Sequence, residues 1–224
     1  MEIIKRVMVL GGSGVGKTWL TLQLAKRFRL PGHHIDQLSW QPGFIHRTAE
    51  ELDEMTRAVH AGDEWVLEGG HYETAHERAR RAQLLVWVDP VSATQLTRVV
   101  WRSLRYHGKV RPGMGEGCVE WFGARTKEAA HYALTSREFH RERAREVIAS
   151  APPTLPVVHL RSSLQTYQFL WNCRCHPAES GFTMKPRLVQ AYTRSIARAV
   201  IAMAMPAALL GIGVDFGMET QTVY

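Results

Sequence analysis

The sequence predicts an α/β fold in which parallel strands alternate with helices. Short apolar runs at residues 5–10, 65–68, 84–88 and 156–160 are typical of strands, and a weaker one covers 33–36. Amphipathic stretches with helical spacing lie between them. The run at 84–88 contains no polar residue, as expected for a strand buried on both faces of a parallel sheet. Together these patterns predict a three-layer α/β/α domain with a five-stranded parallel sheet.

The composition favours a single folded domain with some additional chain. Of the 224 residues, 45% are hydrophobic and 22% are charged, which is close to the globular average. The N-terminus runs directly into a strand pattern and carries no signal-peptide pattern. The three cysteines, Cys118, Cys173 and Cys175, are too few for a disulfide framework and fit a reducing compartment. We therefore expect a cytoplasmic protein with a domain at 1–171 and an extension at 172–224.

The first half of the domain begins with the strand at 5–10, which leads into a glycine-rich turn. An amphipathic helix is expected at about 16–28, because Leu20, Leu24 and Phe28 recur on one face. A helix at 48–61 opens with Thr48 and Glu51 at the spacing of a capping box.

The second half repeats the alternation after the strand at 65–68. Helices are expected at 91–106, 121–149 and 163–171. The segment Gly108–Gly117 contains four glycines and a proline, so about 107–120 is predicted to be a mobile loop.

The chain after residue 172 has a different character. Residues 173–183 look like a linker, and Cys173, Cys175 and His176 form only a weak metal-ligand pattern because no second ligand pair follows. A basic amphipathic helix is expected from Lys185 onward. The uncharged run at 199–214 is short for a membrane span and is interrupted by proline and glycine, so a helix on the domain, on a partner or at a membrane surface is favoured.

The glycine-rich turn matches G-x-x-x-x-G-K-[ST], the phosphate-binding loop. Its residues are Gly11, Gly12, Ser13, Gly14, Val15, Gly16, Lys17 and Thr18. Glycines allow backbone N–H groups to point at phosphates, and the following helix presents its positive N-terminus to the same anion. Lys17 is expected to reach the β- and γ-phosphates of ATP or a similar triphosphate, and Thr18 to bind Mg²⁺. The strand before the loop and the helix after it make this motif specific.

Three acidic residues end predicted strands, where ligands gather in such sheets. Glu68 precedes two glycines and is favoured for holding Mg²⁺ or its waters. Asp36 is favoured as a substrate contact or base. Asp89 precedes Pro90, so it is interpreted mainly as a structural residue.

The net charge of +7 is concentrated in one segment, because eleven Lys and Arg face five Glu between Arg98 and Arg145. Arg98, Arg102 and Arg105 share one helical face, and arginines can stabilise a phosphoryl group in transfer. Arg137 and Arg141 lie in a stretch of mixed charge that is typical of surface ion pairs, although either could also serve as a lid arginine.

Aromatic residues near the predicted site leave two interpretations open. Trp40 and Phe44 could stack on a base or cover the core. His71 and Tyr72, after the second glycine pair, could lie near the site or pack inside.

The ordered set of motifs over about residues 3–171 resembles adenylate-kinase-related P-loop proteins called DNA topology modulation or FlaR-like proteins. The segments that carry the resemblance are the phosphate loop, Leu30-Pro31 before His34-Ile35-Asp36, residues 40–44, 64–72, 86–89, the arginine-rich helix, Arg111-Pro112 with Gly117-Cys118, 158–162 and Phe169-Leu170. The resemblance implies a nucleotide-kinase-like fold, ATP binding by Gly11–Thr18, and a place near the adenine for Arg161 and Ser162. The chain departs from the family at 68–72, where it has Glu-Gly-Gly-His-Tyr and Asp-Gly-Asn-Tyr is usual.

The leading hypothesis is therefore an ATP- and Mg²⁺-dependent kinase that phosphorylates a small molecule. Lys17, Asp36, Arg102 and Arg105 are its expected catalytic residues, and Thr18 and Glu68 its expected metal ligands. The alternative is an ATP-dependent regulator that binds DNA through the basic segment, although no helix-turn-helix pattern supports it. A third hypothesis is membrane association through the tail. The acceptor, the choice between ATP and GTP, and the oligomeric state stay open.

Overall fold

A computed structural model describes residues 2–184 of the chain. The helices are α1 (Lys17–Phe28), α2 (Ile35–Ser39), α3 (Ala49–Ala61), α4 (Ala75–Arg81), α5 (Ser92–Arg105), α6 (Ala124–Thr135), α7 (Arg137–Ser150) and α8 (Ser163–Asn172). The strands are β1 (Arg6–Leu10), β2 (Gly32–His34), β3 (Trp40–Gln41), β4 (Ile45–His46), β5 (Trp65–Glu68), β6 (Leu84–Val88), β7 (Lys109–Val110), β8 (Val119–Glu120), β9 (Val157–Leu160), β10 (Cys173–Cys175) and β11 (Phe182–Met184). A single 3-10 turn covers Tyr72–Thr74.

The central sheet has five parallel strands in the order β2-β5-β1-β6-β9. Val7 of β1 lies between Val66 of β5 and Leu84 of β6. Every residue of β5, β6 and β9 is buried, as the apolar runs predict. The predicted α/β fold with a five-stranded parallel sheet is confirmed.

Helices cover both faces of this sheet because successive residues of each strand point to opposite sides. Val7 and Val9 of β1 join a core with Leu20 and Leu24 of α1. Met8 and Leu10 join a second core that includes residues of α4 and α7. The fold therefore has three layers, and the carboxyl ends of the strands share one edge with the start of α1.

Several predicted elements differ in extent. The helix expected at 121–149 is interrupted at Ser136, whose hydroxyl donates a 2.6 Å hydrogen bond to the carbonyl of Tyr132 and so competes with the regular ladder. The second strand ends at His34, and Asp36 lies in α2. The segment expected as a mobile loop contains the antiparallel pair β7–β8.

The prediction of a linker at 173–183 is wrong. Strands β10 and β11 form an antiparallel hairpin, and Phe182 stacks on Phe28 with ring centroids 4.5 Å apart. Phe182 also pairs with Ile4, which ties the hairpin to the start of the chain. The two strands were not predicted because short, partly polar strands give little periodic signal. The boundary at 171 stays a prediction.

The weak metal pattern at Cys173, Cys175 and His176 is not supported. The Cys175 thiol contacts the carbonyl of Arg27 and the His176 ring accepts a hydrogen bond from Glu179, and residues 2–184 contain no cluster of three possible metal ligands of the His, Cys, Asp or Glu type. The predicted tail helix from Lys185 and its membrane hypothesis lie outside the described residues. Within the described part, no helix is long and apolar enough to cross a bilayer.

Candidate nucleotide and phosphoryl-transfer site

A cleft of about 510 Å³ opens at the edge of the sheet where β1 and β5 end. It is lined by most of the predicted phosphate loop and by residues from α1, α2, α5, α6 and α7. The lining comprises Gly11, Gly12, Ser13, Gly14, Gly16, Lys17, Thr18, Trp19, Leu22, Asp36, Gly69, Gly70, Arg98, Trp101, Arg102, Arg105, Tyr106, Arg111, Pro112, Tyr132 and His140.

The phosphate loop has the backbone that an anion cradle requires. Gly14 and Gly16 have φ angles of 74° and 100°, and a Cβ on Gly14 would lie 2.6 Å from the Val99 side chain. The ammonium of Lys17 donates a 2.8 Å hydrogen bond to the carbonyl of Gly12 across the loop. Helix α1 begins with no side-chain cap at Gly16 and no acidic residue in its first turn. Its N-terminal N–H groups and positive dipole are therefore directed at the cleft.

Glu68 lies at the centre of the polar contacts beneath this loop. Its carboxylate accepts a 2.8 Å hydrogen bond from Thr18 and lies 3.8 Å from the Lys17 ammonium. His34 approaches the same carboxylate with Nδ1 at 2.9 Å. Burial raises the pKa of Glu68, but the His34 hydrogen bond and the Lys17 charge outweigh it, so the net pKa lies below the usual value. The carboxylate is therefore ionised at neutral pH.

His34 is a site residue that the sequence reasoning missed. It ends β2 directly beside Glu68 in the register of the sheet, and its side chain is only 5% exposed. The backbone at Gly113 packs on it, since a Cβ there would lie 3.0 Å from the His34 ring and 2.8 Å from Thr18 Cγ2. His34 could have been predicted from the expected sheet, because β2 and β5 end at the same edge and their last residues lie side by side.

Asp89, the other strand-end acid on a neighbour of β1, has a different environment. It accepts hydrogen bonds of 3.1 Å from both Arg137 and Arg141, and His159 lies 3.7 Å away. Burial raises the pKa of Asp89, but the nearby His159 and the charges of the two arginines lower it by more, so the net pKa lies below the usual value of an aspartate. Asp89 thus has the structural role favoured from the sequence. Arg137 and Arg141 bind it and are not among the residues that line the cleft.

The predicted arginine face of α5 does border the cleft, since Arg98, Arg102 and Arg105 all line it. Arg98 donates hydrogen bonds to the carbonyl of Val15 and, at 2.9 Å, to the Ser163 hydroxyl. Arg102 lies 3.9 Å from Glu120, and burial lowers its pKa to about 10. It remains charged at neutral pH.

Asp36 and Arg111 face each other across the outer part of the cleft. Their side chains are 3.4 Å apart, and the Asp36 side chain is 54% exposed. Arg111 also lies 3.2 Å from Glu120, so Arg102 and Arg111 share one carboxylate. The cleft wall therefore carries more positive than negative charge, which suits an anionic ligand.

The aromatic segment at 40–46 packs against the loop between β7 and β8 and does not line the cleft. Trp40 stacks on His46 with centroids 3.5 Å apart, and the Arg125 guanidinium lies 4.1 Å over the Phe44 ring. The Cys118 thiol contacts the carbonyl of Gln41 at 3.2 Å. Of the two interpretations of Trp40 and Phe44, the structure favours packing.

His71 points away from the cleft and Tyr72 points toward it. His71 contacts Asp53 at 2.6 Å and is 7% exposed. The Tyr72 hydroxyl lies 3.1 Å from Nδ1 of His140, a cleft residue that the sequence reasoning also missed. Below them, the fully buried Arg78 donates hydrogen bonds of 2.6 and 2.9 Å to the carbonyls of Gly70 and His71, which fixes the turn after β5.

Arg161 and Ser162 are not among the cleft-lining residues. The Ser162 hydroxyl caps α8 by accepting a hydrogen bond from the Gln165 N–H, and the Arg161 side chain points to His159 at 3.4 Å. The next residue, Ser163, contacts the cleft arginine Arg98. Their expected place near an adenine thus stays a prediction.

No protein-family model and no curated protein matches the chain. The resemblance to the topology modulation proteins therefore stays a prediction.

Solved structures that are similar to this fold include several kinases. Shikimate kinase from Acinetobacter baumannii, in complex with shikimate, is 14% identical with a TM-score of 0.42, and the match covers 90% of this chain and 96% of that one. Shikimate kinase from Bacteroides thetaiotaomicron is 16% identical with a TM-score of 0.46 and coverages of 75% and 95%. A gluconokinase from Sinorhizobium meliloti is 13% identical with a TM-score of 0.42 and coverages of 91% and 98%. Identities this low concern the fold alone.

Proposed function

We propose that this chain is an ATP-dependent phosphotransferase that phosphorylates a small molecule. One observation carries the proposal: Lys17, Thr18 and Glu68 converge under a glycine loop at the edge of a parallel sheet. A loop that only turned the chain would need neither a half-buried lysine nor a buried carboxylate beneath it.

The residues present fit a nucleoside triphosphate with Mg²⁺. The loop amides and Lys17 would hold the phosphates. Thr18 and Glu68 offer a hydroxyl and an ionised carboxylate, which are the oxygen donors that Mg²⁺ prefers, and one protein carboxylate is typical where phosphates supply other ligands. When bound, the ion would neutralise charge on the phosphates. Trp19, Leu22 and Trp101 give the cleft an apolar side beyond the loop.

The remaining cleft residues suit the acceptor side of such a reaction. Arg102 and Arg105 would stabilise negative charge on the group in transfer. Asp36 is exposed within the cleft and would accept a hydrogen bond from an acceptor hydroxyl and orient its oxygen. Arg111 beside it would bind an anionic group of the same molecule.

The test is phosphate transfer from Mg-ATP to a panel of nucleosides, nucleotides and small hydroxyl metabolites. We expect at least one acceptor to be phosphorylated, and Lys17→Met to lower the rate by about 100-fold or more. The matched control is Lys127→Met, which makes the same substitution at an exposed lysine outside the cleft and should leave the rate unchanged. ATP binding without transfer to any acceptor would contradict the proposal.

The DNA-binding alternative gains no support from the basic segment. Arg98, Arg102, Arg137 and Arg141 all contact acceptors within the domain. Arginines engaged in this way offer less charge to a nucleic-acid backbone than a solvated face would.

A further inference from the structure

Three side chains form a cluster beside the cleft, here called the Tyr-His-Tyr cluster: Tyr72, Tyr132 and His140. Tyr132 and His140 line the cleft, and Tyr72 lies behind His140. The Tyr72 hydroxyl lies 3.1 Å from Nδ1 of His140, and the Tyr132 hydroxyl lies 3.3 Å from Nε2. Both ring nitrogens therefore have a phenol partner. These residues come from the turn after β5, from α6 and from α7, so the arrangement depends on the tertiary fold.

His140 lies against the phosphate loop. A Cβ on Gly12 would be 3.6 Å from the His140 ring, and one on Gly70 would be 4.0 Å from it. Both glycines, together with His140 and Tyr132, line the cleft. A ligand held by the loop would therefore have the imidazole as a close neighbour.

Burial is the main cause that keeps the His140 ring neutral, and the charge of Lys17 adds to it. Burial and the nearby Lys17 charge lower the pKa of His140 to about 4, while Asp36 raises it slightly. Tyr72 stays protonated because burial raises its pKa to about 12. Arg137 and Arg141 lie on the same helix as His140 but bind Asp89.

An anion bound in the loop would offset the lowering of the His140 pKa by the charge of Lys17. At an effective dielectric constant of about 20, one unit charge at roughly 5 Å contributes about 3 kcal/mol, or about two pKa units. A bound polyphosphate would thus raise the pKa of His140 from its low value toward the ordinary value of about 6.5.

We propose that His140 lies next to the bound phosphates and takes up a proton when a polyphosphate binds the loop. The proton comes from solvent and adds to the lone pair of the ring nitrogen that carries no hydrogen. The tyrosine hydroxyl that donated to this nitrogen then turns and accepts the new N–H. A neutral imidazole has one donor and one acceptor nitrogen, and an imidazolium has two donors. Protonated His140 then adds a positive charge to that of Lys17 only while phosphates are present. Tyr132, which is half exposed, connects the ring to solvent.

This inference rests on the proposed nucleotide site and is tested by binding alone, without an acceptor. Calorimetric titration of ATP and of inorganic triphosphate at pH 5.5, in two buffers of different ionisation enthalpy, gives the number of protons taken up. Since the ligands also titrate, the readout is the difference between wild type and His140→Gln. Exposed His131→Gln is the matched control.

We expect wild type and His131→Gln to take up on the order of half a proton more than His140→Gln, and the difference to vanish near pH 8. Equal proton uptake in wild type and His140→Gln would overturn the inference. If His140→Gln does not fold, NMR titration of the His140 ring signal in the wild-type chain, with and without ATP and assigned through backbone correlations, replaces it. A ring that stays neutral with ATP bound at pH 5.5 would equally overturn it.

Failure of this inference is distinguishable from failure of the phosphotransferase proposal. Proton uptake on ATP binding without transfer to any acceptor would retain the role of His140 and contradict the phosphotransferase. Phosphate transfer without proton uptake would support the phosphotransferase and contradict the role of His140.

Discussion

Glu68 and Asp89 end the two strands that flank β1, yet their surroundings differ completely. Glu68 contacts Thr18, Lys17 and His34 at the base of the cleft. Asp89 is held by two arginines of α7. Both carboxylates are buried and both have a lowered pKa. Burial and a shifted pKa therefore do not identify a functional acid by themselves. The residues that contact the carboxylate determine whether its charge is available to a ligand or holds two elements of the fold together.

The largest expected effect separates the two acids by activity. Glu68→Gln replaces the carboxylate that is hydrogen-bonded to Thr18 with a neutral amide of the same shape. We therefore expect phosphate transfer to fall about 1,000-fold, equivalent to about 4 kcal/mol of transition-state stabilisation. Asp89→Asn should keep the rate within about threefold at 15 °C, where the variant remains folded. Steady-state kinetics with Mg-ATP measure both, and equal losses would remove the distinction.

The second effect separates them by stability. Asp89→Asn removes the buried carboxylate that binds Arg137 and Arg141, and within residues 2–184 only Arg141 keeps another charged partner, Glu138. We therefore expect the free energy of unfolding to fall by about 3 kcal/mol. Glu68→Gln should change it by less than about 1 kcal/mol, because relief of carboxylate burial offsets the lost contacts. Urea unfolding followed by tryptophan fluorescence gives both values.

A third, smaller effect distinguishes the two arginines that bind Asp89. Arg137 also donates hydrogen bonds to Pro90 and Gln95, and its side chain is 20% exposed against 34% for Arg141. We expect Arg137→Gln to cost about 2 kcal/mol of unfolding free energy and Arg141→Gln less than about 1 kcal/mol. The reverse order of the two losses in urea unfolding would show that Arg141, the more exposed arginine, contributes more to holding α7 on the sheet than Arg137 does.

The smallest effect is the pH dependence of stability at Asp89. The pKa of Asp89 is lowered in the folded state. Its stabilising contribution is therefore present above the unfolded pKa, about 3.9, and is lost as the pH falls through the lower folded pKa. The difference in unfolding free energy between wild type and Asp89→Asn should therefore be constant between pH 5 and 7 and shrink below about pH 4. A difference that grew on acidification would contradict the assigned direction of the shift.

The sequence was sufficient for the parts of the fold that depend on local patterns. The apolar runs at β5 and β6 predicted those strands to the residue, and the capping box at Thr48 and Glu51 is present. The eight residues of the predicted phosphate loop are contiguous, so their motif was recognisable without the fold, and most of them line the cleft. Glu68 was found because acids that end strands gather at one edge.

What the sequence could not predict depends on contacts between distant segments. His34 meets Glu68 over 34 positions, and His140 meets Tyr72 over 68. Neither histidine stands in a recognisable motif. The β10–β11 hairpin was missed for a related reason. Phe182 of the short strand β11 packs on Phe28 of α1, a contact between distant segments that no local pattern indicates.

The open start of α1 links folding to ligand supply. Helix α3 carries its own cap, in which Thr48 and Glu51 satisfy each other's backbone N–H groups. Helix α1 carries none at Gly16. Under the proposed function the phosphates supply the missing cap, so amide hydrogens in the first turn of α1 would exchange more slowly as ATP is added. At 100 times its dissociation constant ATP would add about 2.7 kcal/mol to the free energy of unfolding. The melting temperature of the protein would then depend on the concentration of nucleotide in solution.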